Sequence, residues 1–202
     1  MKDIKILPKE FFLKRNVIEI AKDLLGKIVV TQLDGGYTSA RIVETEAYDG
    51  ATDKACHAFP NKLTRRTEVM FKEGGRSYVY LCYGIHHLFN IVTHEEGSAK
   101  AVLIRAVEPV KGIELMKARR KVENLRQLTN GPGKVAQALG ISTLYNDETL
   151  YEENGLIYIG SEIDNVNFEI NISTRIGVDY AEEDAMLPWR FYIKDNPYIS
   201  KK

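Results

Sequence analysis

Two glutamates on one predicted strand are the first residues whose spacing suggests catalysis. Apolar and β-branched residues over positions 38–48 predict a strand. Side chains alternate along a strand, so Glu44 and Glu46 share one face, with their Cα atoms roughly 6–7 Å apart. Ile42 and Tyr48 are predicted on the same face. Such a pair can do acid–base work on a glycosidic bond, where a carboxylate activates water. The alternative is a solvent-facing strand whose glutamates form cross-strand ion pairs with Lys or Arg.

Tyrosines give a second signal, on the predicted strand 76–83. Tyr78 and Tyr80 share a face, and Tyr83 precedes Gly84 where the strand ends. Tyrosines two residues apart usually pack in a core or across strands. Flat rings near basic residues also stack nucleobases, at roughly 1–3 kcal/mol each. His57 lies in a predicted loop, where a lone histidine is more often a surface residue than a catalyst.

Sequence motifs give no support for a metal or a cofactor. Cys82, His86 and His87 lie close in sequence, but no fourth ligand accompanies them, and neither C-x-x-C nor H-E-x-x-H occurs. Walker and G-x-G-x-x-G motifs are also missing. We therefore expect neither a bound metal nor a cofactor. The segments 131–134 and 175–178 could offer backbone amides to a phosphate, or could simply form turns.

The charge of the chain is balanced overall but unevenly distributed. The 202 residues include 28 bases and 28 acids. Residues 147–184 carry eleven acids and one base, whereas residues 54–76 carry six bases with two acids, and residues 111–134 carry seven bases with two acids. A basic face of this kind suits phosphate groups, although solvated helix faces would give the same pattern.

The composition is that of an ordinary soluble globular protein, with 44% hydrophobic and 28% charged residues. It excludes a disordered chain, a coiled coil and a collagen-like fibre. The longest apolar runs, 78–83 and 101–104, fall far short of the roughly 18 residues of a membrane-spanning helix. The N-terminus has no secretory signal, and two cysteines are too few for a disulfide scaffold. We therefore expect a cytoplasmic protein with free thiols.

Closely spaced strands joined by short turns must position these residues. The pattern predicts strands at 27–33, 38–48, 76–83, 88–93, 99–107, 156–159, 168–172 and 190–193. It predicts helices at 11–25, 64–71, 111–127 and 130–139. Together these elements indicate an α+β fold: a curved, mostly antiparallel β-sheet flanked by helices, in a single domain over residues 1–202.

Several strings of residues, in order from about residue 10 to residue 200, resemble one family of enzymes. The longest are R-I-V-E-T-E-A-Y at 41–48 and Y-V-Y-L-C-Y-G at 78–84, with His57 between them and Asn90 after them. Shorter matches are V-L-I-R-A at 102–106, G-P-G-K at 131–134, R-I-G-V at 175–178 and R-F-Y at 190–192. On these strings the chain resembles the alkyladenine (3-methyladenine) DNA glycosylases, the single-domain type shared by mammals and bacteria.

The resemblance implies an enzyme of DNA repair. It would flip alkylated or deaminated purines, such as 3-methyladenine, hypoxanthine and ethenoadenine, out of double-stranded DNA and hydrolyse the N-glycosidic bond, leaving an abasic site. By the same resemblance, Glu46 activates the attacking water and Arg105 lies near that water and the backbone. Tyr83 fills the space that the flipped base leaves, and Asn90 crowds the 2-amino group of guanine. The remaining residues of the base pocket would be Tyr48, His57 and Tyr80.

The resemblance also implies where the protein acts and with what. Its partner would be duplex DNA that contains damaged purines, and it would act as a monomer in the bacterial cytoplasm or nucleoid, without a membrane. The sequence departs from the mammalian pattern at 64–67, where T-R-R-T replaces T-P-R-N, and at His86 and His87. These positions fall near the expected edge of the DNA, so they bear on substrate range.

The chemistry of alkylated purines fits this mechanism. Alkylation at N3 or N7 makes the purine cationic, so the base leaves readily and stacks well on aromatic rings. No lysine lies beside Glu46 in the sequence, which favours direct attack by water over a Schiff base. Two other functions stay open from the residues alone. One is a carbohydrate hydrolase that uses Glu44 with Glu46; the other is a non-catalytic nucleic-acid-binding module in which Glu46 only forms an ion pair.

Overall fold

Antiparallel strands form one sheet in a computed structural model, which describes residues 4–13, 16–162 and 167–201. The strands in order of the sheet are β1-β7-β2-β3-β6-β5-β4, and β9 pairs with both β3 and β8. Every pairing of these strands is antiparallel, as the sequence predicts. The strands are β1 (Ile4–Ile6), β2 (Ile28–Leu33), β3 (Gly36–Asp49), β4 (Ser77–Cys82), β5 (His86–Val92), β6 (Lys100–Lys111), β7 (Ile157–Glu162), β8 (Ile170–Ser173) and β9 (Arg190–Ile193).

Short helices accompany the sheet, so the α+β class is confirmed. The α-helices are α1 (Val17–Asp23), α2 (Ile113–Arg120), α3 (Leu125–Leu128) and α4 (Pro132–Leu139), and the 3₁₀ helices are Lys9–Phe12, Glu68–Phe71, Thr143–Tyr145 and Asp179–Met186. Ile20 and Ala21 of α1 and Val135 and Leu139 of α4 belong to the main apolar core. In the described ranges, no helix is long and apolar enough to cross a membrane.

Two compensating irregularities shape the long β3–β6 ladder at the glutamates. Ile42 pairs with Val107 and Glu44 with Ala106, so Val43 is an extra residue on β3. Thr45 then pairs with Ile104, which leaves Arg105 as an extra residue on β6. Such β-bulges bend a strand and re-aim side chains, and they are common beside active sites. The second bulge lies opposite Glu44 and Thr45, one residue before Glu46.

The bulge at Val43 also corrects one prediction from the sequence. Plain alternation places Ile42 on the face of Glu44, but the two residues pair with consecutive residues of β6, Val107 and Ala106, so they lie on opposite faces. Glu44 and Glu46 do share a face, since both approach Arg105. Alternation therefore holds on the C-terminal side of the bulge and fails across it.

Three predicted helices are shorter than their sequence patterns suggest. The single helix expected over 111–127 ends at Arg120, because Lys121 adopts a left-handed conformation with φ of 54°, and α3 then starts after Asn124. The expected helix 11–25 overlaps the end of the 3₁₀ helix Lys9–Phe12 and then includes α1, whose N-terminus is capped by Asn16; residues 14 and 15 lie outside the described residues. Of the expected helix 64–71, the structure has the 3₁₀ helix Glu68–Phe71.

Candidate active site

A pocket of about 610 Å³ opens beside the central strands, within the range of volumes usual for small-molecule sites. Its walls come from β3 to β6, from the loop 55–70 and from the segment 176–180. Most of the residues that the sequence singled out line it. These are Tyr48, His57, Tyr80, Tyr83, Asn90 and Arg105. Residues that are up to 57 positions apart in the sequence therefore line one cavity.

Glu46 lies directly behind the wall of this pocket and is fully buried. Its Oε2 accepts hydrogen bonds from the Tyr48 hydroxyl at 2.8 Å and from Nη1 of Arg105 at 3.4 Å. Its Oε1 accepts the backbone N–H of Ile176 at 2.9 Å. Tyr48, Arg105 and Ile176 all line the pocket, so the Glu46 carboxylate is held one layer behind the surface that a ligand would touch.

The surroundings of Glu46 suit a general base. Burial raises the pKa of its carboxyl group, while Arg105, the Ile176 N–H and the Tyr48 hydroxyl act against that rise. A raised pKa makes the carboxylate a stronger proton acceptor, and the opposing contacts favour its ionised form. Burial and the charge of Glu46 also raise the pKa of Tyr48 well above its ordinary value, so this phenol stays protonated and donates a hydrogen bond to Glu46.

Glu44 has a different role, because every one of its contacts is internal. Its Oε1 accepts hydrogen bonds from Nη1 of Arg190 and from the Ser200 hydroxyl, both at 2.9 Å. Its Oε2 accepts the Ser200 backbone N–H at 2.6 Å, and Nε of Arg105 lies 3.5 Å from Oε1. The carboxylate is fully buried among these donors. The cross-strand ion pair considered from the sequence is therefore present, but in the interior rather than on a solvent-facing strand.

A buried ion pair behind Tyr48 supports the other side of the site. Nη2 of Arg175 donates to Oδ1 of Asp53 at 2.8 Å, and Nη1 donates to Oδ2 of Asp53 and to the Ala47 carbonyl. The Arg175 guanidinium lies 4.8 Å from the centroid of the Tyr48 ring and so stabilises it by a cation–π contact. Sequence reasoning missed Asp53, and it considered 175–178 as a phosphate site or a turn. In the structure the Ile176 N–H binds the Glu46 carboxylate.

His57, Tyr78, Tyr80 and Arg66 form a connected wall. Nη2 of Arg66 donates to Nε2 of His57 at 3.1 Å, and Nδ1 of His57 lies 2.9 Å from the Tyr78 hydroxyl. Because Arg66 can only donate, Nε2 is the acceptor and Nδ1 carries the proton. The Arg66 guanidinium also lies 4.8 Å from the Tyr80 ring centroid. Burial is the main cause that lowers the pKa of His57 to about 4, and the charge of Arg66 adds to it. The His57 imidazole is therefore neutral near pH 7.

Tyr83 stands at the tip of the hairpin between β4 and β5. It is 91% exposed and has a φ of 50°, followed by Gly84 at 72°, while the Ile85 N–H donates to the Cys82 carbonyl. Two successive positive φ values define a type I′ turn, which suits a tight hairpin but is uncommon for a large side chain. The turn therefore presents an aromatic ring to solvent at the rim of the pocket.

Asn90 and the histidines of the hairpin differ in position. Nδ2 of Asn90 donates to the carbonyls of Tyr78 and Leu88 at 3.0 and 3.4 Å, which fixes this amide in the pocket wall. His86 is exposed and lies close to Gly133 at the start of α4. Over residues 4–13, 16–162 and 167–201, no group of three or more His, Cys, Asp and Glu residues is placed to hold a metal ion.

Known proteins similar to this chain point to one family over nearly its whole length. The model of a family described as methylpurine-DNA glycosylase (MPG) matches residues 11–197. A protein of Clostridium botulinum (strain Alaska E43 / Type E3) is 50% identical over 98% of this chain and 100% of its own length. One of Alkaliphilus oremlandii (strain OhILAs) is 51% identical over 95% and 97%, and one of Chlamydia felis (strain Fe/C-56) is 46% identical over 93% and 96%. All three are provisionally named 3-methyladenine DNA glycosylase.

The titration of His57 tests the geometry of the pocket wall. We expect its imidazole to titrate near pH 4, because burial and Arg66 both disfavour the imidazolium. Arg66→Gln removes the neighbouring charge and should move this pKa part of the way back towards 6.5, since burial remains. NMR of ¹⁵N-labelled histidines across acidic and neutral pH measures both values. Arg65→Gln, at an exposed neighbouring position, is the control and should leave His57 unchanged. An ordinary pKa in the parental protein would contradict the packed wall.

Proposed function

Because the chain belongs to the methylpurine-DNA glycosylase family, we propose that it removes 3-methyladenine from duplex DNA by hydrolysing the N-glycosidic bond. Hypoxanthine and ethenoadenine are further substrates that we propose for the same pocket. The observation that carries the proposal is the burial of Glu46 directly behind an aromatic pocket, with each of its three hydrogen-bond donors lining that pocket. We further propose that the protein acts as a monomer and as a single glycosylase domain over residues 1–202.

The proposal requires the damaged nucleotide to leave the duplex, because a stacked base cannot reach a recessed pocket. Unstacking costs a few kcal/mol, which a side chain can offset by filling the vacated space. Tyr83 supports this role, since its ring is 91% exposed at a hairpin tip and also lines the rim of the pocket. In the proposal, this ring enters the duplex as the base enters the pocket.

The walls of the pocket suit a flat and cationic base. The ring centroids of His57 and Tyr80 lie 4.6 Å apart and those of Tyr78 and Tyr80 lie 5.4 Å apart, so the three rings form one aromatic surface. Electron-rich rings attract a cation over their faces. The depressed pKa of His57 keeps its imidazole neutral near pH 7, so it adds no positive charge to repel an alkylated purine.

Glu46 has room for one more hydrogen bond, which we assign to the attacking water. A carboxylate offers about four acceptor positions, and the Tyr48 hydroxyl, Arg105 and the Ile176 N–H use three of them. The water oxygen bonds to C1′ of the sugar while Glu46 takes its proton. The electrons of the N-glycosidic bond leave with the base, and the anionic carboxylate stabilises the oxocarbenium character of the sugar.

The contacts of Glu46 also bear on the alternative mechanisms. The groups that the structure places within hydrogen-bond distance of Glu46, among the described residues, are a tyrosine, an arginine and a backbone amide, so direct attack by water is favoured over a Schiff base. Arg190 and Ser200, the hydrogen-bond donors of Glu44, do not line the pocket, whereas those of Glu46 do. That arrangement disfavours a carbohydrate hydrolase with Glu44 as the second carboxylate. A purely binding module would not explain why Glu46 is buried behind a pocket.

Substitution of the two glutamates should separate their roles. Glu46→Gln keeps the shape of the side chain but cannot take a proton, so excision of 3-methyladenine should fall by at least about 100-fold while DNA binding persists. Glu44→Gln should lower the temperature of unfolding, because it leaves Arg190 and Arg105 without their shared carboxylate, and its loss of excision should be smaller. Single-turnover excision and thermal unfolding of both variants measure these effects.

The pH dependence of excision provides the matching control. With cationic 3-methyladenine, the rate should fall at low pH as Glu46 is protonated, whereas neutral hypoxanthine needs a proton to leave and its rate should also fall at high pH.

Equal and complete losses in Glu46→Gln and Glu44→Gln, with both proteins folded, would indicate a carboxylate pair instead. Near-normal excision by Glu46→Gln would show that Glu46 is not the general base.

Tyr83→Ala should weaken capture of the flipped base without unfolding the protein. Truncating a buried aromatic residue to Ala lowers the free energy of unfolding by roughly 3–5 kcal/mol. Tyr83 is 91% exposed, so its truncation should hardly change the unfolding temperature. Tyr83→Phe keeps the ring and should retain activity. Leu156→Ala, at a 46% exposed leucine next to β7 and away from the hairpin, is the control. Fluorescence of a 2-aminopurine placed beside the lesion reports flipping, and an unchanged signal in Tyr83→Ala would contradict the proposal.

The affinity for undamaged duplex DNA should fall steeply with salt, with a slope of about −0.9 per phosphate neutralised on a log–log plot. Arg65 is exposed beside the pocket residue Arg66, and its side chain has no partner in the part of the chain that the structure describes. Arg65→Ala should therefore reduce the slope by about one. Lys194, whose charge is paired with Glu169 at 2.6 Å, provides the control substitution Lys194→Ala. A flat salt response of the parental protein would contradict binding to DNA through its phosphates.

A further inference from the structure

We propose that Ser200 is a positioning residue for the reaction and that its hydroxyl holds Arg105 against Glu46. This inference rests on the proposed function, in which Glu46 is the base. Ser200 lies past β9, near the C-terminal end of the described residues, and is 95 residues from Arg105 and 156 from Glu44 in the chain. It does not line the pocket; its contacts are all behind the pocket wall.

The hydroxyl of Ser200 is used in both directions. Nε of Arg105 donates to Oγ at 3.1 Å, and the hydroxyl donates to Oε1 of Glu44 at 2.9 Å. The Ser200 backbone N–H donates to the other Glu44 oxygen at 2.6 Å. The Ser200 hydroxyl therefore joins two charged groups of neighbouring strands, with its single proton and one of its lone pairs.

The same contacts fix the orientation of the Arg105 guanidinium. Arg105 is the extra residue of the β6 bulge, so it has no cross-strand register partner on β3 to direct its side chain. Ser200 and Glu44 hold Nε, while Nη1 reaches Oε2 of Glu46 at 3.4 Å. Because a guanidinium is planar and rigid, a group that fixes Nε also fixes the direction of Nη1.

The position of Arg105 in turn affects the ionisation of Glu46. Other charged or titratable groups surround this carboxylate: Tyr48 and Glu44 on β3, Arg175 before Ile176, and Arg190 of β9, which is its register partner. Burial raises the pKa of Glu46, and Arg105 is the group that lowers this pKa most strongly. If Arg105 moves away, the pKa of Glu46 rises further and Glu46 holds its proton to higher pH.

The test compares the pH profile of excision in three variants at positions 200 and 201. Ser200→Ala removes the hydroxyl but keeps the backbone N–H. We expect the acidic midpoint for 3-methyladenine excision to rise by about 0.5–1 pH unit, because an opposite charge within 4–6 Å shifts a carboxyl pKa by about 1–3 units and Arg105 is loosened rather than lost. Ser200→Thr keeps a hydroxyl and should restore the parental midpoint. Lys201→Ala is the control, since Lys201 contacts Arg190 through its backbone carbonyl.

The outcomes distinguish this inference from the proposed function. A Ser200→Ala profile that coincides with the parental one, in a folded enzyme, would overturn the role of Ser200 while leaving Glu46 as the base. An equal loss of rate at every pH in both the Ala and Thr variants would assign Ser200 to folding alone and would also overturn it. If Glu46→Gln excises normally, the proposed function itself fails, whatever Ser200→Ala does.

Discussion

A carboxylate that leaves water loses several kcal/mol of hydration, and Glu44 and Glu46 are both fully buried on one strand. The fold therefore has to supply donors from elsewhere in the chain. Arg105 on β6 reaches both carboxylates, while Arg190 on β9 and the Ile176 N–H each reach one. These contacts tie β3 to three separate parts of the chain. The cost of burying charge is thus offset by the same contacts that assemble the site, so stability and site geometry are not independent.

The bulge at Arg105 shows how the sheet makes room for this arrangement. In a regular ladder, residue 105 would pair across from β3 and its side chain would follow the alternation of β6. As an extra residue, Arg105 lies between two pairs, Glu44 with Ala106 and Thr45 with Ile104. From there its guanidinium reaches both carboxylates, at 3.5 and 3.4 Å. A local loss of regular pairing is exchanged for one cation that serves two buried anions.

Sequence reasoning succeeded where the determinants are local and failed where they are distant. Alternation and turn residues predicted most of the strands, including β2, β4 and β5. The bulge at Val43 defeated alternation at Ile42, and the left-handed Lys121 ended a helix that side-chain periodicity extends to 127. No local pattern links Ser200 with Glu44, since 156 residues separate them and a single serine carries no signal. The structure also added Arg66, which lies in the basic segment 54–76 but has no spacing that predicts a contact with His57.

The internal use of charge also explains why segment totals say little about a DNA-binding face. Arg119 donates to the carbonyls of Ala138 and Leu33, and Arg120 donates to that of Leu128, so these two bases of the segment 111–134 stabilise the C-terminal ends of α4, β2 and α3. In the segment 54–76, Lys54 and Arg76 pair with acids of the segment 147–184. The opposite net charges of the segments 54–76 and 147–184 are thus matched in part within the fold. An electrostatic attraction for phosphate must come from the side chains left over near the pocket, and their positions matter more than their number.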